Sequence, residues 1–279
     1  MKNILDKLKS HNGVSLLEVL IALAITGVIT LAIFRTYITQ HKNYMAQEDV
    51  TEIQQNARVV IDELSRHIRM AGNNLPHGLE AIKSSNTNPD TITITYCQND
   101  CKTHLSTPMP LPSAELKCGS DISCFNDNQW VYIFDPDSGS ASGEWFLISH
   151  IQAAAFHIQH NTMSLSKCYD ANAVLLSMNQ IKFFVDNTTD PDHPNLMMQL
   201  PGQSPQIYAD NINDMQFQFT LKNGMVVDQP LLAEDIREVL IAITGRSRIQ
   251  DYEASIDVED PNSGFRLRTY TSSVNIRNL

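Results

Sequence analysis

The chain has 279 residues, 42% of them hydrophobic, which suffices for one large domain or two small ones with real cores and excludes a disordered chain. Its formal charge is -11, and since Lys2, Lys7 and Lys9 outweigh Asp6 in the first thirteen residues, the remainder carries about -13. An acidic body of that kind is repelled by phosphate backbones, so nucleic acid is a poor first partner.

The first element is VSLLEVLIALAITGVITLAIF, residues 14–34, whose only charged side chain is Glu18. At about 1.5 Å per residue, a helix of this length spans about 31 Å, close to the hydrocarbon thickness of a bilayer. The preceding MKNILDKLKSHNG is short and net positive, which places this end in the cytoplasm and everything after Phe34 outside it. A secretory signal peptide shares the basic start and the apolar run. However, RTYITQHKNYMAQ follows with no small-x-small cleavage site, and the run exceeds the usual length of a signal core. An ordinary uncleaved anchor explains the length but gives no reason for a carboxylate five residues into the span, which costs on the order of 3 kcal/mol at mid-bilayer and less near its edge. Glu18 therefore calls for a partner, unless it only snorkels to the headgroups.

The string G-VSLLEVLIALAI, with Gly13 before a break and Glu18 fifth after it, closely resembles the class III leader of type IV pilins and of type II secretion pseudopilins. That resemblance implies removal of residues 1–13 by a cytoplasm-facing prepilin peptidase, cutting between Gly13 and Val14, and N-methylation of Val14. It further implies residence in the inner membrane, with the C-terminal domain in the periplasm, followed by entry into a pilus or pseudopilus. Glu18 then takes a docking role, since its carboxylate can neutralise the terminal amine of a neighbouring subunit inside an apolar helix bundle.

Helical spacing continues beyond the membrane. Ile53, Ala57, Val60, Ile61, Leu64, Ile68 and Ala71 form one apolar stripe, with Glu52, Arg58, Glu63, Arg66 and Arg69 on other faces. No proline precedes Pro76, and Gly72, Asn73 and Asn74 supply a stop, so the spacing predicts one helix from Val14 to Ala71. Residues 14–34 are its membrane half and 35–74 its amphipathic half, with Gly27 the one weak point. The segment QQNARVVIDELSRHIRMAGNN resembles PilW-type minor pilins and, more loosely, the J-type pseudopilin of type II secretion.

From about residue 90 the period changes to two. Candidate strands fall at 91–97, 129–135, 143–151, 154–160, 179–186, 214–221, 237–247 and 265–277, with the turn-rich 135–143 joining two of them as a hairpin. The predicted fold is α+β: a long N-terminal helix packed on an antiparallel β-sheet domain formed within residues 75–279. The closing GFRLRTYTSSVNIRNL resembles the last strand of PilW-like and J-type chains. Four of the five cysteines, Cys97, Cys101, Cys118 and Cys124, lie close together without the paired C-x2-C knuckles of a zinc site, and are expected to form two local disulfides in an oxidising compartment. Their connectivity is open, and Cys168 stands apart.

No catalytic constellation emerges, and the chain reads as a non-enzyme. Ala141 occupies the serine position of a G-x-S-x-G elbow, and there is no P-loop and no H-E-x-x-H. His157 and His160 near Cys168 sketch a metal site but point to opposite faces of a strand. Asp186, Asp190 and Asp192 offer oxygen ligands for calcium or a simple solvated turn, and no other cofactor is expected. Arg237, Arg246, Arg248, Arg266, Arg268 and Arg277 either line a DNA-binding face or pair with acids such as Asp235, Glu253 and Asp257. The resemblance implies a minor pilin that joins other minor pilins in an inner-membrane complex, primes pilus assembly with the assembly platform and the major pilin, and ends at the tip, where an adhesin could join it. A J-type pseudopilin and a membrane-tethered adhesin or ligand-binding pilin are the alternatives.

Overall fold

The computed structural model describes residues 14–76, 78–97, 99–136, 143–250 and 262–278. The chain divides into two units, one ending at Thr51 and the other beginning at Glu52. A single helix, α1 (Leu16–Met70), contributes to both. It begins two residues later than expected because the Ser15 carbonyl accepts the first-turn N–H groups of Glu18 and Val19, leaving Val14 outside the helix. It ends where the sequence indicates, with Gly72 in the left-handed region at φ 76°, a conformation that costs glycine no Cβ clash.

Sixteen strands follow among the described residues of the second unit: β1 (Ile82–Ser85), β2 (Thr91–Tyr96), β3 (Lys102–His104), β4 (Leu116–Lys117), β5 (Trp130–Phe134), β6 (Gly143–Leu147), β7 (His150–Gln152), β8 (His157–Gln159), β9 (Val174–Leu176), β10 (Asn179–Asp186), β11 (Asn195–Gln199), β12 (Gln206–Ala209), β13 (Ile212–Leu221), β14 (Val226–Val227), β15 (Ile236–Arg246) and β16 (Leu267–Asn275). Among the described residues they form four antiparallel sheets, ordered β1-β2-β10-β11-β12, β14-β13-β15-β16, β3-β9-β5-β6 and β4-β8-β7.

The first two sheets enclose the amphipathic part of α1. Ala57, Val60, Leu64 and Ile68 share one core with Ile92, Ile94, Phe183 and Leu196 from one sheet and Met215, Phe217, Val239, Ile241 and Ile243 from the other. The helical stripe read from the sequence is thus the core face, with Ile61 only partly buried. Asp90 ties the two sheets together, its buried carboxylate accepting the backbone N–H groups of Thr87 and Phe217. Because β2 and β10 are neighbours, the chain between them is an inserted lobe, with its own core around Leu105, Leu116, Ile122, Val131, Phe146, Ile158 and Leu175. The expected architecture, a long N-terminal helix packed on an antiparallel β-sheet domain, is the one observed.

Within the lobe, the expected strand 143–151 is two strands. Ile148 N–H bonds to the Gln129 carbonyl and Ser149 N–H to that of Gln159, so the chain passes from one sheet to the next between them. Strand β8 starts late because Ala153–Ala155 form a 3-10 turn and Phe156 sits at φ 55°. The pairing of Phe134 with Gly143 fits the expected hairpin, while 137–142 of its turn lie outside the described residues.

The expectation of two disulfides is corrected. Cys101 pairs with Cys124, and Cys97 and Cys118 remain buried thiols. They pack in different places, Cys97 against Tyr132, Phe134, Leu176 and Met178, and Cys118 in the lobe core. Burial pushes both thiols up to about 11, so neither is a ready nucleophile for exchange. Cys168 is exposed.

Candidate functional site

The membrane-length part of α1 is exposed along its whole described course, with none of it buried within the molecule. The helix is long and apolar enough to cross a membrane. Its threonines do not oppose this: the hydroxyls of Thr26 and Thr30 donate to the carbonyls of Ala22 and Thr26, and Thr36 and Thr39 do the same one turn back. Each hydroxyl hydrogen is therefore satisfied without water. Gly27 leaves open space around its would-be Cβ, and the helix runs through it unbroken.

Glu18 stands in the first turn of α1, exposed, in a shallow apolar groove it shares with Ser15, Leu17, Ile21, Ala22 and Ile25. The unpaired N–H groups of a helix start carry partial positive charge, so a carboxylate is tolerated here better than anywhere further along the span. Val14, one residue before the cap, is also exposed. Gly13 lies outside the described residues, and so does the rest of the leader.

The other candidates resolve into structural roles. The Asp186 carboxylate accepts the N–H and hydroxyl groups of both Thr188 and Thr189, bonds that hold it well below the usual carboxylate range. Asp190 caps Asp192 N–H and faces His193. Both ring nitrogens of buried His160 face backbone carbonyls, those of Met163 and Ala114 at 2.8 Å, so the ring offers no lone pair outward, and His157 contacts Glu115. Among the described residues, no group of three or more His, Cys, Asp or Glu side chains is placed to hold a metal ion.

The arginines separate. Arg246 is buried, donating to the carbonyls of Pro191 and Asp192 and to Asn262 Oδ1 while its guanidinium lies on the Phe265 ring. Arg237 lies beside Glu238, and Arg266 and Arg268 flank the start of β16. Glu253 and Asp257 lie outside the described residues.

Sequence reasoning missed a polar cluster at the border of the core face of α1, with His67 inside it and Arg66 exposed. His67 is buried; its Nε2–H donates to Glu63, its Nδ1 accepts the Tyr96 hydroxyl at 3.1 Å, and Arg66 bonds the same Glu63 carboxylate. Burial holds the His67 imidazole below its ordinary value, and the Arg66 bond holds Glu63 low. The signal was the E-x-x-R-H spacing, which places all three side chains within one turn.

Comparison with known proteins agrees with the N-terminal geometry. Residues 8–34 match the prokaryotic N-terminal methylation motif, so the chain carries a prepilin-type N-terminus and is type IV pilin-like there. A type IV-like pilin from Thermus thermophilus is similar over 82% of this chain and 97% of its own length, at 10% identity and a TM-score of 0.38. No curated protein matches the chain in sequence.

Proposed function

We propose that this chain is a minor pilin of a type IV pilus, a structural subunit cut between Gly13 and Val14, methylated on Val14 and drawn by its N-terminal helix into an assembly of other pilins. The observation that carries the reading is the lone carboxylate of Glu18, exposed in the first turn of a membrane-length helix inside the matched methylation segment. In an apolar helix bundle that carboxylate and the Val14 amine of a neighbour each remove the other's unpaired charge, and a misregistered subunit leaves both bare. The partners on this reading are the prepilin peptidase, the inner-membrane assembly platform, other minor pilins and the major pilin, with the tip as its final place. The PilW-like wording of residues 54–74 favours the pilus over the type II secretion pseudopilus.

Mass spectrometry of the mature protein tests the processing: an N-terminus at Val14 with one added methyl is expected, and an intact Met1 or a cut beyond Phe34 refutes it. Replacing Glu18 with alanine should leave that processing intact and impair incorporation. Deleting the gene should abolish surface pili, whereas loss of exoprotein secretion with pili intact would assign the chain to the secretion machine.

A further inference from the structure

The five-stranded sheet turns Ile92, Ile94, Phe183 and Leu196 into the core, and the same pleat sets Thr93, Lys182 and Gln199 on its other face. The register makes these three direct neighbours, with Lys182 of β10 opposite Thr93 of β2 on one side and opposite Gln199 of β11 on the other. Gln180, two residues before Lys182, lengthens the row. A polar row on a solvated sheet face is ordinary, but this one is walled. Trp145 of β6, from the inserted lobe, and the turn at residues 200–202 enclose a cleft of about 290 Å³ over it, at the small end of the range for ligand pockets.

Both walls are fixed. The Trp145 indole packs edge-on to Tyr132, ring centroids 5.5 Å apart, and stays half-buried. Gly202 lies at φ 66°, and a Cβ there would collide with the Trp130 indole, so the turn is seated directly on the lobe. The floor is oriented as well. Gln180 Nε2 donates to Thr95 Oγ1 at 3.4 Å and Gln199 Nε2 to the Gln203 carbonyl at 3.2 Å. Each amide is thus anchored through its nitrogen and offers its oxygen as an acceptor. Lys182 Nζ lies 5.1 Å from the centre of the Phe184 ring and supplies a positive charge to the cleft.

An aromatic face beside two acceptors and one cation selects a ligand with an apolar C–H face, hydroxyl donors at its rim and a negative charge. A pyranose bearing a carboxylate has all three. Its C–H face stacks on the partial negative charge of the indole face, its hydroxyls donate to the amide oxygens, and its carboxylate meets the ammonium in a charge-assisted hydrogen bond. An acidic peptide would satisfy Lys182, but its carboxylates are acceptors only and leave the two amide oxygens unmatched. We propose that this cleft binds one acidic sugar ring of the hexuronate class, with Trp145 as the stacking platform, Gln180 and Gln199 as hydroxyl acceptors and Lys182 as the charge contact. The site stands whichever machine the chain serves.

The test uses the full chain in a deuterated detergent without a sugar headgroup. Glucuronate and galacturonate are the probes, and methyl glucoside, acetate and a glutamate hexapeptide are the controls. Saturation-transfer NMR is expected to mark the ring C–H protons of a hexuronate, with methyl glucoside bound about tenfold more weakly and the two other controls not at all. Trp145→Ala should weaken hexuronate binding about tenfold. Lys182→Gln should abolish the preference for hexuronate over methyl glucoside and leave the methyl glucoside signal in place. Lys182 is exposed, so this second variant keeps its fold even if Trp145→Ala loosens the lobe. Silence from both hexuronates, equal binding of hexuronate and methyl glucoside by the unmodified chain, a preference that survives Lys182→Gln, or binding of the hexapeptide in place of the sugars overturns the proposal.

Discussion

Replacing Cys101 and Cys124 together with serine opens a loop whose ends are 23 residues apart in sequence. On the chain-entropy relation, closing a loop of that length removes about 11 cal/mol/K from the unfolded ensemble, or about 3.4 kcal/mol at 25 °C. That corresponds to a roughly 300-fold rise in the opening equilibrium of whatever unfolds with the loop. The lobe has its own core, separate from the one that buries α1, so the opening should be local. Hydrogen exchange should show protection falling in β4, β5 and β8 of the variant and hardly changing in β13 and β15. Before any substitution, intact mass under non-reducing conditions should show the loss of two hydrogens and not four, and Cys97 and Cys118 should resist alkylation until denaturant is added. A mass deficit of four hydrogens, or equal loss of protection in both cores, would refute the reasoning.

Leu64 is fully buried between α1 and the two sheets that enclose it. Leu64→Ala should cost about 2–5 kcal/mol, seen as a lowered melting temperature of the full chain in detergent. The His67 ring is held neutral by burial, so the unfolded chain takes up protons that the native ring resists. Its contribution to stability is therefore complete above the ordinary value near 6.5 and declines as the pH falls below it, while that of Glu63, held low, persists until the pH falls below about 4.5. Melting curves of wild type and His67→Gln should accordingly differ in slope just below pH 6.5, and parallel curves would exclude the ring from that window.

The helix was legible because two periodicities agree along it. An unbroken apolar run sets its membrane half, and a 3.6-residue stripe from Ile53 to Ala71 sets the half that becomes core. The lobe was not legible for a physical reason. Strands such as β3, β4 and β9 are two or three residues long, and an alternation of period two cannot be read from so few positions. Their pairing is set by contacts such as Leu105 with Cys118, which no local pattern records. Spacing alone suggested four paired cysteines, but it cannot tell a half-cystine from a cysteine packed as a small apolar side chain, which is the role of Cys97. The arginines at residues 237–277 likewise look alike in sequence. Only the fold separates Arg246, committed to the carbonyls of Pro191 and Asp192, from Arg268, exposed on β16.

Glu18 differs from the threonines of the span. The threonine hydroxyls each find an acceptor in the preceding turn, so they cost little in lipid and ask for nothing from a neighbour. A carboxylate has no such internal donor, because the backbone N–H groups beyond the first turn are already committed to the helix. Its position in that first turn lets the partial positive charge of the helix start reduce the cost of a carboxylate in an apolar medium. That help is partial and screened near the headgroups, whereas an amine delivered by a neighbour in a dry bundle supplies a full opposite charge. On the proposed reading, the difference between those two states is the driving force that a docking role of Glu18 requires.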